Sequence, residues 1–276
     1  FSTPFGMAAR CYAARLALGS VVDADWEKAE IRRLSSRVSA IGRDDALALC
    51  WAGYAMVYVC REYDVGAALT DQALAINPNL AAGWTNRGVI SSFLGQYETA
   101  IQQLTEALRL NPKDPESFRP ESFIAVAHFI LGRYDQALVW AARSQASQST
   151  WMPALRVSAV ANALSGNVDE SRTLVARMLR QDPGMRISNL GKYLAYRDAE
   201  AIDLFARGLR IAGIQIAEAR HDRDAVGLQH VERVFDFFKA AVDVGQRDGL
   251  QRQVEGHGRA RELRRGSCWK WKAREE

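Results

Sequence analysis

Cysteine and histidine are scarce in this chain of 276 residues, with four of each. Cys11, Cys50, Cys60 and Cys268 lie far apart and none forms a C-x-x-C pair, so the spacing that a disulfide framework or a zinc site needs is missing. Long apolar runs are missing too. No stretch without a charged residue is longer than Ala46 to Cys60, which is short of the roughly 20 apolar residues that cross a bilayer as a helix. No transmembrane segment is expected. No basic-then-apolar leader opens the chain, which starts at Phe1 rather than Met and enters helical patterning at once, as a piece of a longer polypeptide does. Unpaired thiols without a leader predict the reducing cytoplasm. The motifs G-x-S-x-G, G-x-x-x-x-G-K-[ST] and H-E-x-x-H are absent as well, and no catalytic residue, metal or cofactor is assigned. The remaining composition, 48% hydrophobic and 25% charged, is that of a folded globular protein rather than a disordered one.

What is present is a repeat. Ala81 to Pro112 reads AAGWTNRGVISSFLGQYETAIQQLTEALRLNP, with Trp84, Gly88, Gly95, Tyr97, Ala100, Leu104, Ala107 and Pro112 at the spacings of the tetratricopeptide repeat, a helix-turn-helix unit of about 34 residues. One period earlier, Leu47 to Pro78 repeats the plan with Tyr54, Tyr63, Gly66, Ala73 and the ending Asn77-Pro78. Phe118 to Ser149 follows with Ala125, Gly132, Tyr134, Ala137 and Ala141, displaced by an insertion at Lys113 to Ser117. Met152 to Pro183 is a weaker copy with Ala159, Gly166, Val168 and Ser171. The spacing predicts an all-α fold, a right-handed superhelical solenoid of antiparallel helix pairs with a poorly ordered C-terminal tail. Its expected divisions are a divergent helix pair over 1–46 (helices over Ala8–Leu18 and Asp25–Ile41) and four units over 47–183, at 47–78, 81–112, 118–149 and 152–183. Terminal capping helices over 184–214 follow, read at Arg186–Tyr196 and Ala199–Ala212, and then an amphipathic helix with a basic tail over 215–276.

Each consensus residue has a mechanical reason. Gly88, Ala100 and Ala107 stand where helices approach closely and a larger side chain would part them. Trp84, Tyr97 and Leu104 are expected to fill the space between helices, each worth roughly 1.5–3 kcal/mol when buried. Gly95 ends the first helix in left-handed geometry at no steric cost. Asn111-Pro112 ends the second, because proline lacks an amide donor and pushes its predecessor out of helical geometry.

The concave wall of such a stack is lined by the first helix of each unit and is the default binding surface. The inward positions are Trp51, Ala55 and Tyr58 in the first unit and Thr85, Val89, Ser92 and Phe93 in the second. The third adds Arg119, Ser122, Val126 and Phe129, and the fourth Arg156, Val160 and Ala163. This lining, apolar with two arginines, suits a protein or peptide, a helix of a partner or another domain of the same polypeptide. The Lys and Asn of a carboxylate clamp do not stand at these positions, and Asn86, one position away, reads as a solvated or capping residue. Trp51, Tyr58 and Phe129 have a second reading as packing residues between helices. No oligomeric state is read from the chain.

The blocks GRDDALALCWAGYA (Gly42 to Ala55), LAINPNLAAGWTNRGV (Leu74 to Val89), AHFILGRYDQALVWA (Ala127 to Ala141), PALRVSAVANALSG (Pro153 to Gly166), RISNLGKYLAYRD (Arg186 to Asp198) and FARGLRIAGI (Phe205 to Ile214) carry a resemblance. Over about residues 7–214 the chain resembles the C-terminal repeat region of bacterial class III adenylate cyclase-like proteins and of related winged-helix regulators. The resemblance implies a non-catalytic interaction module of a bacterial signalling or regulatory protein. Its alternatives are a fragment of a cyclase-like enzyme whose catalytic domain lies upstream, or the effector region of a winged-helix regulator. The family's catalytic residues have no counterpart positions here.

Beyond Ile214 the pattern changes. His230 to Val244 places Val231, Val234, Phe235, Phe238 and Val242 on one face of a helix. Residues 251–276 hold eight Lys or Arg against four Glu, which accounts for the whole chain's net charge of +4. The repeats are therefore neutral overall, and no nucleic acid is expected at the groove. Cys268-Trp269-Lys270-Trp271-Lys272 alternates aromatic and cationic groups, but the tail's composition favours disorder, or a run read in an altered frame. His221, Asp222 and Asp224 read as a solvated loop, His128 as a packed histidine, and Cys50 and Cys60 as small hydrophobes.

Overall fold

The computed structural model describes residues 2–17 and 19–214, and every regular element among them is helical. The expectations for His221, for the helix at 230–244 and for the basic tail lie outside the described residues.

Two helices open the chain, α1 (Thr3–Ala17) and α2 (Ala24–Ile41). Four hairpins follow: α3 (Ala46–Tyr58) with α4 (Tyr63–Ile76), α5 (Ala81–Phe93) with α6 (Tyr97–Leu110), α7 (Phe118–Ile130) with α8 (Tyr134–Ser147), and α9 (Met152–Leu164) with α10 (Val168–Gln181). Within this run each first helix packs on both helices of the preceding hairpin, which makes the array a tetratricopeptide-type solenoid.

Local chemistry sets the ends of these helices. Asp23 caps α2 by accepting from the amides of Asp25 and Trp26, and Asp45 caps α3 by accepting from the amide of Ala48. Pro153 sits in the first turn of α9, where its missing N–H costs nothing. Between the two helices of a hairpin, Gly95, Gly132 and Gly166 take φ of +81°, +75° and +87°. The amides of Gln96, Arg133 and Asn167 then reach back to the carbonyls of Ser91, His128 and Asn162. In the first hairpin the same position is held by Arg61, with φ of +62°. A side chain there costs roughly 1–2 kcal/mol, and its turn is wider, with Glu62 N–H bonding Met56 C=O at 3.0 Å.

Packing follows the repeat positions. Ala100, Leu104 and Ala107 are buried, and Gly88 sits against the Leu104 side chain. Trp84 departs from its expected place: it is only partly buried, and its indole N–H donates to Pro78 C=O at 2.8 Å, stapling the turn before α5. Tyr97 is also partly exposed, and Pro112 lies on the surface.

The closing segment differs most from expectation. Over Arg186–Tyr196 the chain forms only a short 3-10 turn (Ile187–Asn189) and a single helical turn, α11 (Leu190–Tyr193), after which Leu194 turns extended. The last helix, α12 (Ala199–Ile211), packs chiefly on α9 rather than equally on α9 and α10. The chain thus folds back over the first helices of the units instead of adding another step to the stack.

Candidate functional site

The first helices α3, α5, α7 and α9 form the inner wall, and the structure brings the ten candidate residues onto it. Trp51, Ala55, Tyr58, Thr85, Val89, Phe93, Arg119, Val126, Phe129 and Arg156 are all buried, none more than 9% exposed. What buries them is the chain itself. At one end, α1 packs on α3 and brings Arg10 over the Trp51 ring, 4.2 Å from its centroid. Arg119 also lies over the Trp51 ring, 5.1 Å from its centroid, so two guanidinium groups meet the indole. Arg10 also pairs with Glu116 in the loop before α7.

Along the rest of the wall runs a ladder of rings. Tyr54 stacks on Tyr58 at 5.5 Å, and Tyr58 on Phe93 at 6.1 Å. Phe93 then meets Tyr196 of the returning segment edge-on at 5.4 Å, Tyr196 stacks on Phe205 of α12 at 6.0 Å, and Phe205 tilts against Phe129 at 4.9 Å. Offset and edge-on pairs at these distances add about 0.5–1.5 kcal/mol each beyond burial. Gly208 completes the seat of α12, because a Cβ on it would lie 2.7 Å from Cβ of Val160.

Main-chain bonds tie the returning segment down. Arg197 N–H donates to the carbonyl of Phe93 at 2.8 Å, and the Tyr63 hydroxyl donates to the carbonyl of Ala195 at 3.1 Å. The strained Arg61 donates to the carbonyls of Gly191 and Lys192 at 3.0 and 3.4 Å, and to Tyr58 C=O at 2.8 Å. The non-helical stretch Leu194 to Arg197, extended at Leu194, is therefore held by backbone bonds and ring contacts together, as a peptide ligand would be.

The polar groups of the wall behave differently from one another. Asn86 is fully buried: its amide donates to Cys50 C=O at 3.3 Å and Sγ at 3.0 Å, and its carbonyl accepts from Arg119 Nη2 at 3.1 Å. The expectation of a solvated Asn86 fails because Arg119 needs an acceptor inside the wall. Burial pushes the Cys50 thiol up to about 12, against the smaller opposing pull of Asn86 and Arg119, so it is protonated and unreactive at neutral pH. Arg156 has no such network. Burial pulls its pKa down, its Nε lacks any hydrogen-bond partner, and its guanidinium lies 5.7 Å from the Tyr193 ring centroid. No carboxylate of the described residues is within ion-pair distance of it. His128, at the edge of α7, is buried with Nδ1 unpartnered, and burial and then Arg133 lower its pKa. Among the described residues no group of three His, Cys, Asp or Glu side chains is placed to hold a metal ion. No described helix is long and apolar enough to cross a membrane.

Residues 69–102 match the tetratricopeptide repeat family. The fold is a tetratricopeptide-repeat solenoid. The structure is similar to TTC0263, a thermophilic TPR protein of Thermus thermophilus, at a TM-score of 0.51 and 18% identity, over 75% of this chain and 99% of that one. It is similar to PilW, a type IV pilus biogenesis factor, at 0.52 and 16%, over 75% of this chain and 92% of that one. It also resembles a chain of the APC/C hetero-tetramer Cut9–Hcn1 at 0.54 and 15%, over 73% of this chain and 38% of that one. At these identities the likeness is one of TPR architecture. No curated protein matches the sequence.

Two features of the site escape a reading of the sequence. The left-handed Arg61 occupies the position of Gly95, Gly132 and Gly166, and counting the period back from Gly95 would have exposed it. The return of residues 186–211 across the wall leaves no local trace, since the apolar face of α12 would look the same on any partner.

Proposed function

We propose that this chain is a non-catalytic helical-repeat module whose inner wall engages a protein segment, in another protein or in another domain of the same polypeptide. In this reading the units at 47–78, 81–112, 118–149 and 152–183 build the wall, lined by Trp51, Ala55, Tyr58, Thr85, Val89, Phe93, Arg119, Val126, Phe129 and Arg156. The residues of 1–46 close one end, and those of 184–214 cover the wall. The observation that carries this reading is the non-helical stretch Leu194–Arg197, bonded through Arg197 N–H to Phe93 C=O at 2.8 Å. A wall that holds a peptide of its own chain has the chemistry to hold one in trans. The resemblance of residues 7–214 to bacterial cyclase-like and winged-helix regulators supplies the context, a cytoplasmic signalling or regulatory protein whose effector domain is a natural partner.

The test uses a nitroxide-labelled peptide of sequence 185–199 added at millimolar concentration to the isotope-labelled chain. Signals of Val89, Phe93, Val126 and Phe129 are expected to broaden. Broadening confined to the outer helices α4, α6, α8 and α10 contradicts the reading. Incubated with ATP, the chain is expected to yield no cyclic nucleotide, and detectable product contradicts the non-catalytic part.

A further inference from the structure

The segment that covers the inner wall is poorly matched to it in charge. From Met185 to Arg197 it carries Arg186, Lys192 and Arg197 and no acidic residue. It meets Arg61 of the α3–α4 turn and Arg156 of α9, while Arg119 stands further along the wall beside Trp51 and Tyr54. Arg119 is satisfied by Glu116 and Asn86, but Arg61 finds only backbone carbonyls and the face of Tyr58. Arg156 is 5% exposed and lies among Tyr58, Tyr193 and Tyr196. Its Nε has no partner, and Asp182 acts on it only through space while holding the Tyr193 hydroxyl. The buried Tyr97 hydroxyl, beside Asp198, is unpartnered as well. A buried charge without its counter-ion is expensive, and a carboxylate supplied to it recovers that cost.

The fastening is also weak where it is exposed. Arg197 and Asp64 are 3.8 Å apart with most of both side chains in solvent, and Arg61 holds the segment from a strained left-handed backbone. Strain kept at the residue that makes the fastening contact is what a releasable latch requires.

We propose that residues 186–197 are a displaceable strap latched by Arg61, and that the segment which displaces it is an acidic peptide bearing an aromatic side chain, its carboxylate pairing with Arg156. The aromatic ring takes the place of Tyr196 between Phe93 and Phe205, and the carboxylate takes the place of the Tyr193 ring. This rests on the peptide-binding reading above and specifies the chemistry of the peptide. Being tethered, the strap competes at a high effective concentration, so a free peptide gains access mainly when the latch is opened.

The experiment uses the full chain carrying Arg61→Gly, which relaxes the backbone at that position while removing the latch. Hydrogen exchange is compared with that of the unsubstituted chain. Three fluorescein-labelled peptides of sequence 185–199 are then titrated by anisotropy: the unaltered sequence, one with Tyr193→Glu, and its neutral twin with Tyr193→Gln. Amides of 190–197 are expected to exchange faster in the variant while those of α5 and α7 hold. The Glu peptide is expected to bind about ten-fold or more tightly than the Gln twin, the scale of a charge-assisted bond. That preference is expected to vanish in a chain that also carries Arg156→Gln. If this second variant does not fold, the Glu and Gln pair on the first still decides the question. Equal binding of the twins overturns the acidic partner, and unchanged exchange at 190–197 overturns the latch. Binding of no peptide to a chain whose strap exchanges freely overturns the peptide-binding reading itself.

Discussion

Asp45 serves two elements at once. Its Oδ1 accepts from the amide of Ala48 at 3.0 Å as the cap of α3, and its Oδ2 accepts from the hydroxyls of Ser2 and Thr3 at 2.7 Å each, pinning the start of α1. Burial alone would raise its pKa, but the Thr3 and Ser2 hydroxyls with the Ala48 and Leu47 amides outweigh burial, and the carboxyl sits below its ordinary 3.8. A carboxyl depressed in the folded state stabilises fully above its unfolded value and loses that contribution as pH falls through the folded one. Asp45→Ala is therefore expected to cost about 0.5–2 kcal/mol at neutral pH, with the gap to the unsubstituted chain closing once pH drops below 3.8. Urea titrations across that range measure it, and a gap independent of pH contradicts the carboxylate's role. Not every residue is so legible. Asn86 reads as solvated because amides usually are, yet it is buried by its bonds to Cys50 and Arg119, partners 36 and 33 positions away. Only the fold brings them together.

Among the elements, α12 is the one whose place depends on a single close approach. A Cβ at Gly208 would meet Cβ of Val160 at 2.7 Å and its backbone Cα at 2.9 Å. Gly208→Ala raises intrinsic helix propensity by about 1 kcal/mol, but it pushes α12 off α9. Amides of Ala201 to Leu209 are expected to exchange faster while α5 to α8 are unaffected, and slower exchange throughout α12 contradicts the seating described. The hairpins themselves are readable because small residues and turn glycines recur one period apart, each with a steric reason. The stretch Leu194–Arg197 is not. Its composition suits a helix, but its Arg197 amide and Ala195 carbonyl bond to Phe93 and Tyr63, and the sequence around it records nothing of those partners. The apolar positions Ala201, Phe205 and Leu209 announce a buried face on α12 without saying what buries it.

At the scale of the molecule, the inner wall is closed from both ends of the described chain. The aromatic ladder from Tyr54 to Phe129 passes through Tyr196 and Phe205, so the returning segment fills the wall with rings of its own. The candidate residues are located by period alone, whereas their burial depends on where the chain turns after α10, which no repeat spacing encodes. The measurement that bears most directly on this arrangement is a spin-label distance between Val65→Cys on α4 and Lys192→Cys on the strap, both exposed, in a chain with Cys11 and Cys268 replaced by serine. With Arg61 bonded to the Lys192 carbonyl, the distribution is expected to centre below about 25 Å. A segment that instead continued the stack past α10 would lie four hairpin steps of about 10 Å from α4. A distribution centred above about 35 Å would contradict the folded-back strap.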